Sequence, residues 1–215
     1  MLARAGSRRI TAAPGLTANC PGCGEPVTAK CGNVNIWHWS HKARSDCDEF
    51  SEPMTEWHAD WQERFPQEYR EAVIANHRAD ILLPSGLVIE FQHSGISALD
   101  INEREACYVN RLLAMVWVFD ARDAVEQGRL SLRRKPGNQR SDRYRTFRWR
   151  HPRRTVAHCS VPVFLDVGHG WMLDARRIYF ERPCGGWGYL LTADQFADRA
   201  LGGSLFTRAA LRKAG

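Results

Sequence analysis

The stretch His77–Ser94 constrains the fold of this chain more than any other. Two short apolar runs flank Pro84–Gly86, where Pro fixes φ and Gly tolerates positive φ, so the stretch predicts two strands and a turn. Polar residues interrupt the pattern: Asp80 begins the first run, and Glu90 and Gln92 end the second. Because successive side chains of a strand point to opposite faces, Glu90 and Gln92 share one face.

The length of the turn decides whether Asp80 joins that face. Opposed residues of an antiparallel hairpin have a constant sum of residue numbers, and that sum must be even for Asp80 to share the face. A loop of Ser85–Leu87 meets the condition and places Asp80 opposite Gln92, whereas a strict two-residue turn does not. On a shared face, two carboxylates and a carboxamide oxygen converge, and Mg²⁺ or Mn²⁺ takes such oxygen ligands. The alternative is a hairpin at a domain edge with solvated polar residues.

These residues carry a resemblance to known nucleases. Asp80 followed by nine residues and Glu90-x-Gln92 resembles the signature of the PD-(D/E)xK nuclease superfamily, with Gln92 where that superfamily has Lys. Over roughly residues 18 to 120 the chain resembles, more narrowly, the competence protein CoiA family. The segments that carry this resemblance are Thr55–His58, Arg78–Asp80, Ile89–Ser94 and Arg104-x-x-x-Tyr108.

The resemblance implies a restriction-endonuclease-like αβββαβ core, of α/β or α+β class, preceded by a cysteine-rich segment. It implies a metal-dependent nuclease that hydrolyses the phosphodiester bonds of DNA during uptake, recombination or repair, with Asp80 and Glu90 holding Mg²⁺ or Mn²⁺. Gln92 would orient the attacking water or complete the metal shell. Because Gln92 cannot carry the charge of Lys, the alternative is a zinc-containing, DNA-binding accessory protein with a catalytically weak nuclease fold.

The resemblance also supplies assisting residues. The first core helix of the superfamily often contributes an acidic or histidine side chain, which here is His58 on a helix predicted over residues 53–65. Glu71 leads a strand predicted over residues 68–76 and is a candidate further acid. The alternatives are a surface histidine and a strand-edge charge.

A second helix is predicted from Ser97, which begins a capping-box pattern, to about Leu112. Arg104 and Tyr108 are four residues apart and therefore lie on one helix face. By resemblance this pair faces DNA or the site, and Arg104 binds a phosphate. The alternative is a salt bridge between Arg104 and a neighbouring acid of the same helix, with Tyr108 at the core edge.

A separate constellation of cysteines and histidines occupies residues 18–50. The run Cys20–Gly24 reads Cys-Pro-Gly-Cys-Gly, a spacing that lets two thiolates reach one tetrahedral zinc ion. A small hairpin would return His41 to the ion; His38 is its substitute, and Cys31 is a weaker candidate. The predicted ligands of a structural Zn²⁺ are Cys20, Cys23, His41 and Cys47. Free core cysteines and a redox pair are the alternatives, although no thioredoxin-like pattern surrounds the pair.

Basic residues dominate the region between residues 120 and 155. The chain has a net charge of +6, and arginines interleave there with Tyr144, Phe147 and Trp149, which is typical of a surface that tracks phosphates and stacks bases. A solvated basic loop is the alternative, and genomic base composition also explains a high arginine content. The DNA contacts predicted at the start of this region are Arg133, Arg134 and Lys135.

The predicted organisation is a flexible N-terminus or edge strand (1–17), a zinc module (18–50), a nuclease-like core (51–120) and a basic, β-rich extension (121–215). A last helix is expected from Thr192 to about Leu201. No apolar run approaches the length of a membrane span, and the N-terminus has no signal-peptide core. We therefore expect a cytoplasmic protein with DNA, and no membrane, as its partner.

Overall fold

The computed structural model describes residues 2–32, 36–41, 55–75, 77–134 and 142–205. The chain divides into two compact units, Met1–Leu82 and Leu83–Gly215. Among the described residues, no helix combines the length and the apolar character needed to cross a membrane.

The first unit begins with a five-stranded antiparallel sheet. Its strands are β1 (Ala3–Ala5), β2 (Arg8–Ile10), β3 (Thr17–Asn19), β4 (Pro26–Lys30) and β5 (His38–His41), in the order β2-β1-β3-β4-β5. The segment predicted to be flexible or an edge strand forms β1 and β2, of which β2 lies at the edge of the sheet and β1 inside it. The buried cluster of this sheet is small and consists of Ala3, Ala12, Ala18, Cys20, Val27 and Trp39. Its apolar contribution to folding is correspondingly small.

The rest of the first unit is a helix and a strand pair: α1 (Glu56–Glu63), a single 3₁₀ turn (Gln67–Tyr69), β6 (Arg70–Ile74) and β7 (His77–Leu82). Thr55 caps α1, since its side chain accepts a hydrogen bond from the backbone N–H of His58. Trp57, Trp61 and Phe65 recur every four residues and form a buried apolar stripe that begins in α1. Strands β6 and β7 pair antiparallel.

The second unit alternates strands and helices before a run of antiparallel strands. Its elements are β8 (Leu87–Gln92), α2 (Ala98–Val109), β9 (Ala114–Asp120), α3 (Arg122–Glu126), β10 (Leu130–Arg133), β11 (Tyr144–Trp149), a 3₁₀ turn (Arg154–His158), β12 (Val163–Gly168), β13 (Trp171–Tyr179), β14 (Gly185–Thr192) and α4 (Ala193–Leu201). Within this unit the strand order is β8-β9-β12-β13-β14-β11-β10. The β8–β9 and β9–β12 pairs are parallel, and the remaining pairs are antiparallel.

The loop before β8 is Pro84–Gly86, one residue earlier than predicted. The Gly86 N–H donates to the Leu83 carbonyl and the Leu83 N–H to the Leu87 carbonyl, both at 2.9 Å. Gly86 has φ +79°, the left-handed conformation that a three-residue hairpin loop needs at its last position. The predicted loop of Ser85–Leu87 is therefore wrong in position, although its odd length is retained.

Along the chain the order α1-β6-β7-β8-α2-β9 is the predicted αβββαβ, and the mixed α/β class is confirmed. The capping box predicted at Ser97 is confirmed, and Thr192 also begins a capping box at the start of α4. The glycine-rich residues 185–188 begin β14. A Cβ at Gly186 would lie 1.9 Å from the Arg177 carbonyl oxygen, so glycine here allows β13 and β14 to approach.

Candidate functional site

In the first unit, α1 and β7 bring His58 and Asp80 together. The His58 Nε2 and Asp80 Oδ1 atoms are 2.8 Å apart, and the two side chains are 14% and 15% exposed. Gln62, one helical turn after His58, donates its amide N–H to the same carboxylate oxygen at 3.5 Å. The residue predicted to point from the first helix toward the strand site therefore contacts the first acid of the motif.

Glu71 lies in β6 with its carboxylate among the N-terminal strands. The backbone N–H of Leu2 donates to Glu71 Oε2, and the Arg9 guanidinium donates to the Glu71 carbonyl at 2.9 Å. Glu71 is 3% exposed and has φ +49°, an uncommon conformation for a residue other than glycine. These contacts give Glu71 a structural role, and its assignment as a further catalytic acid stays a prediction.

In the second unit, α2 presents Tyr108 and Arg104 to the second acid of the motif. The Tyr108 hydroxyl donates to Glu90 Oε1 at 2.7 Å, and Arg104 Nη1 donates to Glu90 Oε2 at 3.4 Å. The Arg104 guanidinium also lies over the Trp117 ring, 5.9 Å from its centroid. The predicted common face of Arg104 and Tyr108 is confirmed. Both side chains are buried and lie against the Glu90 carboxylate, and not at the protein surface.

Gln92 completes the motif at the end of β8, where it is 0% exposed. Its side-chain amide donates to the backbone carbonyl of Ser94 at 3.3 Å. Glu90 and Gln92 are two apart in the strand and pair with Trp117 and Phe119 of β9, so they share the predicted face.

A neighbouring network was not predicted. His93 Nδ1 lies 2.8 Å from Asp120 Oδ2, and Arg122 donates to both carboxylate oxygens of Asp120 at 2.9 Å. Burial acts to raise the pKa of Asp120, but the hydrogen bonds from Arg122 and His93 outweigh it, and the pKa lies below its usual value. His93 and Asp120 border a cavity of about 110 Å³. Two features of the sequence could have predicted this network. His93 directly follows Gln92, and Asp120 directly follows the apolar run of residues 113–119.

Three of the four predicted zinc ligands converge in the first unit. The ligand atoms of Cys20, Cys23 and His41 all lie within 4.8 Å of one another. The β4–β5 hairpin carries His41 back to the cysteines, whereas the His38 ring lies against the Ile36 carbonyl, 2.9 Å from Nδ1 to oxygen. The fourth predicted ligand, Cys47, lies outside the described residues.

The geometry of this cluster suits a tetrahedral zinc ion. Zinc bonds of about 2.3 Å to sulfur and 2.0–2.1 Å to nitrogen, at the tetrahedral angle, separate sulfur and nitrogen by about 3.6 Å. Cys23 Sγ and His41 Nε2 are 3.3 Å apart. The Gly22 N–H also points to Cys20 Sγ at 3.4 Å, as expected of a turn that holds a thiolate. The donor set therefore fits zinc, which would add folding energy to the small core of the sheet.

The predicted DNA contacts at the end of β10 are only partly described. Arg133 is exposed, and Arg134 forms an exposed ion pair with Asp142 at 2.6 Å. Lys135 lies outside the described residues. The expectation of Phe147 and Trp149 as surface aromatics is wrong, since they are 5% and 2% exposed. They occupy the inward face of β11, and Tyr144 lies on the other.

Comparison with known families follows the same division of the chain. The model of the competence protein CoiA N-terminal domain matches residues 17–50, and that of the CoiA nuclease-like domain matches residues 53–142. No curated protein and no solved structure matches the chain. Since two domains of one family match in succession and span more than half of the chain, the protein belongs to the CoiA-like family and carries its nuclease-like domain.

Proposed function

We propose that this protein is a metal-dependent nuclease that hydrolyses DNA, with Asp80 and Glu90 as the acidic ligands of Mg²⁺ or Mn²⁺. The chemistry of the donor set suits such an ion, because hard divalent cations prefer carboxylate oxygens. When bound, the ion would lower the pKa of a water molecule and neutralise the charge of the scissile phosphate.

The observation that carries the proposal is the environment of Glu90. Taking an ionised carboxylate out of water costs several kcal/mol unless it is hydrogen-bonded, paired or bound to metal. Glu90 is 3% exposed, on a strand of which every residue is buried. Tyr108 and Arg104 each donate to a different oxygen of the carboxylate, which supports a charged group kept in a fixed orientation.

The remaining residues of the motif have positioning roles in this proposal. His58 and Gln62 contact Oδ1 of Asp80 and would hold that carboxylate in place. Gln92 stands where the superfamily has Lys and would orient the attacking water as a neutral donor or acceptor. Because α2 uses Arg104 and Tyr108 to hold Glu90, we assign both as positioning residues, with the exposed arginines beyond position 120 as the contacts with DNA. The cysteine cluster would hold a structural Zn²⁺.

The test is cleavage of labelled single- and double-stranded DNA with added Mg²⁺ or Mn²⁺. We expect Asp80→Asn and Glu90→Gln to remove cleavage and to leave DNA binding intact. Glu103→Gln is the matched control, since Glu103 is an exposed acid of α2 and its variant should cleave as the wild type does. Unchanged cleavage by Glu90→Gln would contradict the proposal.

One observation favours a second candidate function, a zinc-containing DNA-binding accessory protein. Gln92 lacks the positive charge that Lys supplies in the superfamily, so the nuclease fold would bind DNA and cleave weakly or not at all. Thermal shift with Mn²⁺ discriminates the two candidates: a nuclease is stabilised by the ion, and Glu90→Gln loses the effect. If Mn²⁺ raises the Tm of neither the wild type nor the Glu90→Gln variant, the accessory function is favoured. Gln92→Lys then becomes the variant that tests for restored cleavage.

A further inference from the structure

Three aromatic rings form a cluster on one face of β11 and β14. In the register of these strands Tyr144 lies opposite Tyr189, and Thr146 lies opposite Trp187, so all four side chains share a face. The rings of Tyr144 and Trp187 are stacked with centroids 5.9 Å apart, and the Tyr189 ring meets both edge-on. All three rings are partly exposed.

Neighbouring strands extend this face with arginines. Arg133 of β10 pairs with Thr146, Arg148 of β11 pairs with Gly185, and Arg177 of β13 pairs with Trp187. Each of these arginines is exposed. Positive side chains therefore border the aromatic cluster on both sides.

Among the described residues of β10, β11, β13 and β14, Asp174 is the only acid, and it is already engaged. Asp174 lies opposite Tyr189, is 17% exposed, and forms an ion pair with Arg176 at 2.8 Å. The Arg176 guanidinium in turn lies 5.9 Å from the centroid of the Tyr189 ring. The face as a whole is positive, so it complements a polyanion and disfavours an acidic neighbour.

The opposite face of the same strands belongs to the interior. Phe147 and Trp149 are buried there, and Gly186 and Gly188 alternate with the two aromatic residues of β14. A Cβ at Gly188 would lie 2.2 Å from the Asp174 carbonyl oxygen. This alternation, with glycines on one side and large rings on the other, fixes which face of β14 presents its aromatic side chains.

We propose that this face, defined by Tyr144, Trp187 and Tyr189 with Arg133, Arg148 and Arg177, binds single-stranded DNA. Bases of a single strand are open to stacking on aromatic rings, whereas those of a duplex are already stacked on one another. Arginines beside the rings reach the phosphates between successive bases. The platform lies outside the residues of the proposed catalytic site, so binding here does not depend on cleavage there.

The experiment measures fluorescence anisotropy of a labelled oligothymidine of about 15 nucleotides, near the length that one such platform covers. No divalent metal is added, and the length of the probe is checked on a denaturing gel. We expect Trp187→Ala to weaken binding roughly ten-fold or more. Trp171→Ala is the matched control, because Trp171 is 44% exposed and lies outside the platform.

A second variant separates binding from folding. Arg148→Ala should make the slope of log K against log salt less negative by roughly 0.7, the value for one phosphate contact with a single strand. Arg111→Ala, which changes an exposed arginine just after α2 and outside the platform, should leave the slope unchanged. Equal effects of Trp187→Ala and Trp171→Ala, equally tight binding of duplex DNA, or tighter binding of the matching RNA would each overturn the inference. A protein that binds in this way but never cleaves would leave it standing and would contradict only the nuclease.

Discussion

Replacing Tyr108 with Phe removes one hydroxyl and leaves the aromatic ring in place. That hydroxyl donates to Oε1 of Glu90 at 2.7 Å, and the two residues are 1% and 3% exposed, so water cannot easily replace it. A hydrogen bond to a charged group contributes about 1.5–3 kcal/mol to stability. For a chain of this size each kcal/mol changes Tm by about 2–4 °C, so we expect a decrease of roughly 3–12 °C.

The assay is thermal unfolding followed by circular dichroism at neutral pH. Tyr179→Phe is the matched control, because Tyr179 is 50% exposed and its hydroxyl can exchange protein contacts for water. We expect the control to unfold at the wild-type temperature. Cleavage by Tyr108→Phe, measured well below its Tm, should also fall, since Glu90 loses one of the donors that hold it.

A double-mutant cycle shows whether the loss reflects the charge on Glu90. In a Glu90→Gln protein the Tyr108 hydroxyl meets a neutral acceptor, so its removal should cost only about 0.5–1.5 kcal/mol. Equal costs in both backgrounds, or a Tm for Tyr108→Phe as high as that of Tyr179→Phe, would refute the idea that Tyr108 stabilises an ionised Glu90.

Three further predictions concern other parts of the molecule. His41→Ala should purify without zinc, whereas His38→Ala should retain it, as elemental analysis will show; loss of zinc from both would contradict the ligand assignment. Asp120→Asn should be less stable than the wild type at neutral pH, and the difference should close as the pH falls below about 4, because a lowered pKa gives stability that is lost on protonation. Urea unfolding across that range measures it, and a constant difference would exclude the charge as its source. Gly186→Ala should fail to fold or melt far below the wild type, since its Cβ would meet a backbone oxygen at 1.9 Å; a normal melting curve would show that β13 and β14 can separate.

The sequence predicted what local spacing determines. His58 lies one position from the apolar stripe of α1, and four-residue spacing placed Arg104 and Tyr108 on one face of α2. Both patterns depend on helix geometry alone, and the structure brings the three side chains to acids of the motif. The Cys-x-x-Cys turn was likewise predictable, because its two ligands are held by a single tight turn.

Contacts between distant strands were not predictable in this way. Alternation in β11 separates Tyr144 from Phe147 and Trp149, but which of the two faces is buried depends on pairing with β14, which places Tyr144 beside Trp187 and Phe147 in the interior. The position of Glu71 depends on a positive φ and on Leu2, which is far away in sequence. Neither the pairing of β11 with β14 nor the contact of Glu71 with Leu2 can be predicted from a short window of residues.

The contacts of Glu71 have a consequence for thermodynamic linkage within the first unit. Glu71 interrupts a register in which Arg70 pairs with Ile81 and Ala72 with Ala79, the two neighbours of Asp80. The five-stranded sheet contacts this segment through two hydrogen bonds. Leu2, just before β1, donates to the Glu71 carboxylate, and Arg9 of β2 donates to the Glu71 carbonyl. A metal ion that stabilises the sheet therefore also opposes local opening of the strand that carries Asp80, and chelation should speed hydrogen exchange of amides in both places. A metal ion bound by Cys20, Cys23 and His41 would then control, at a distance, the order of the strand around Asp80.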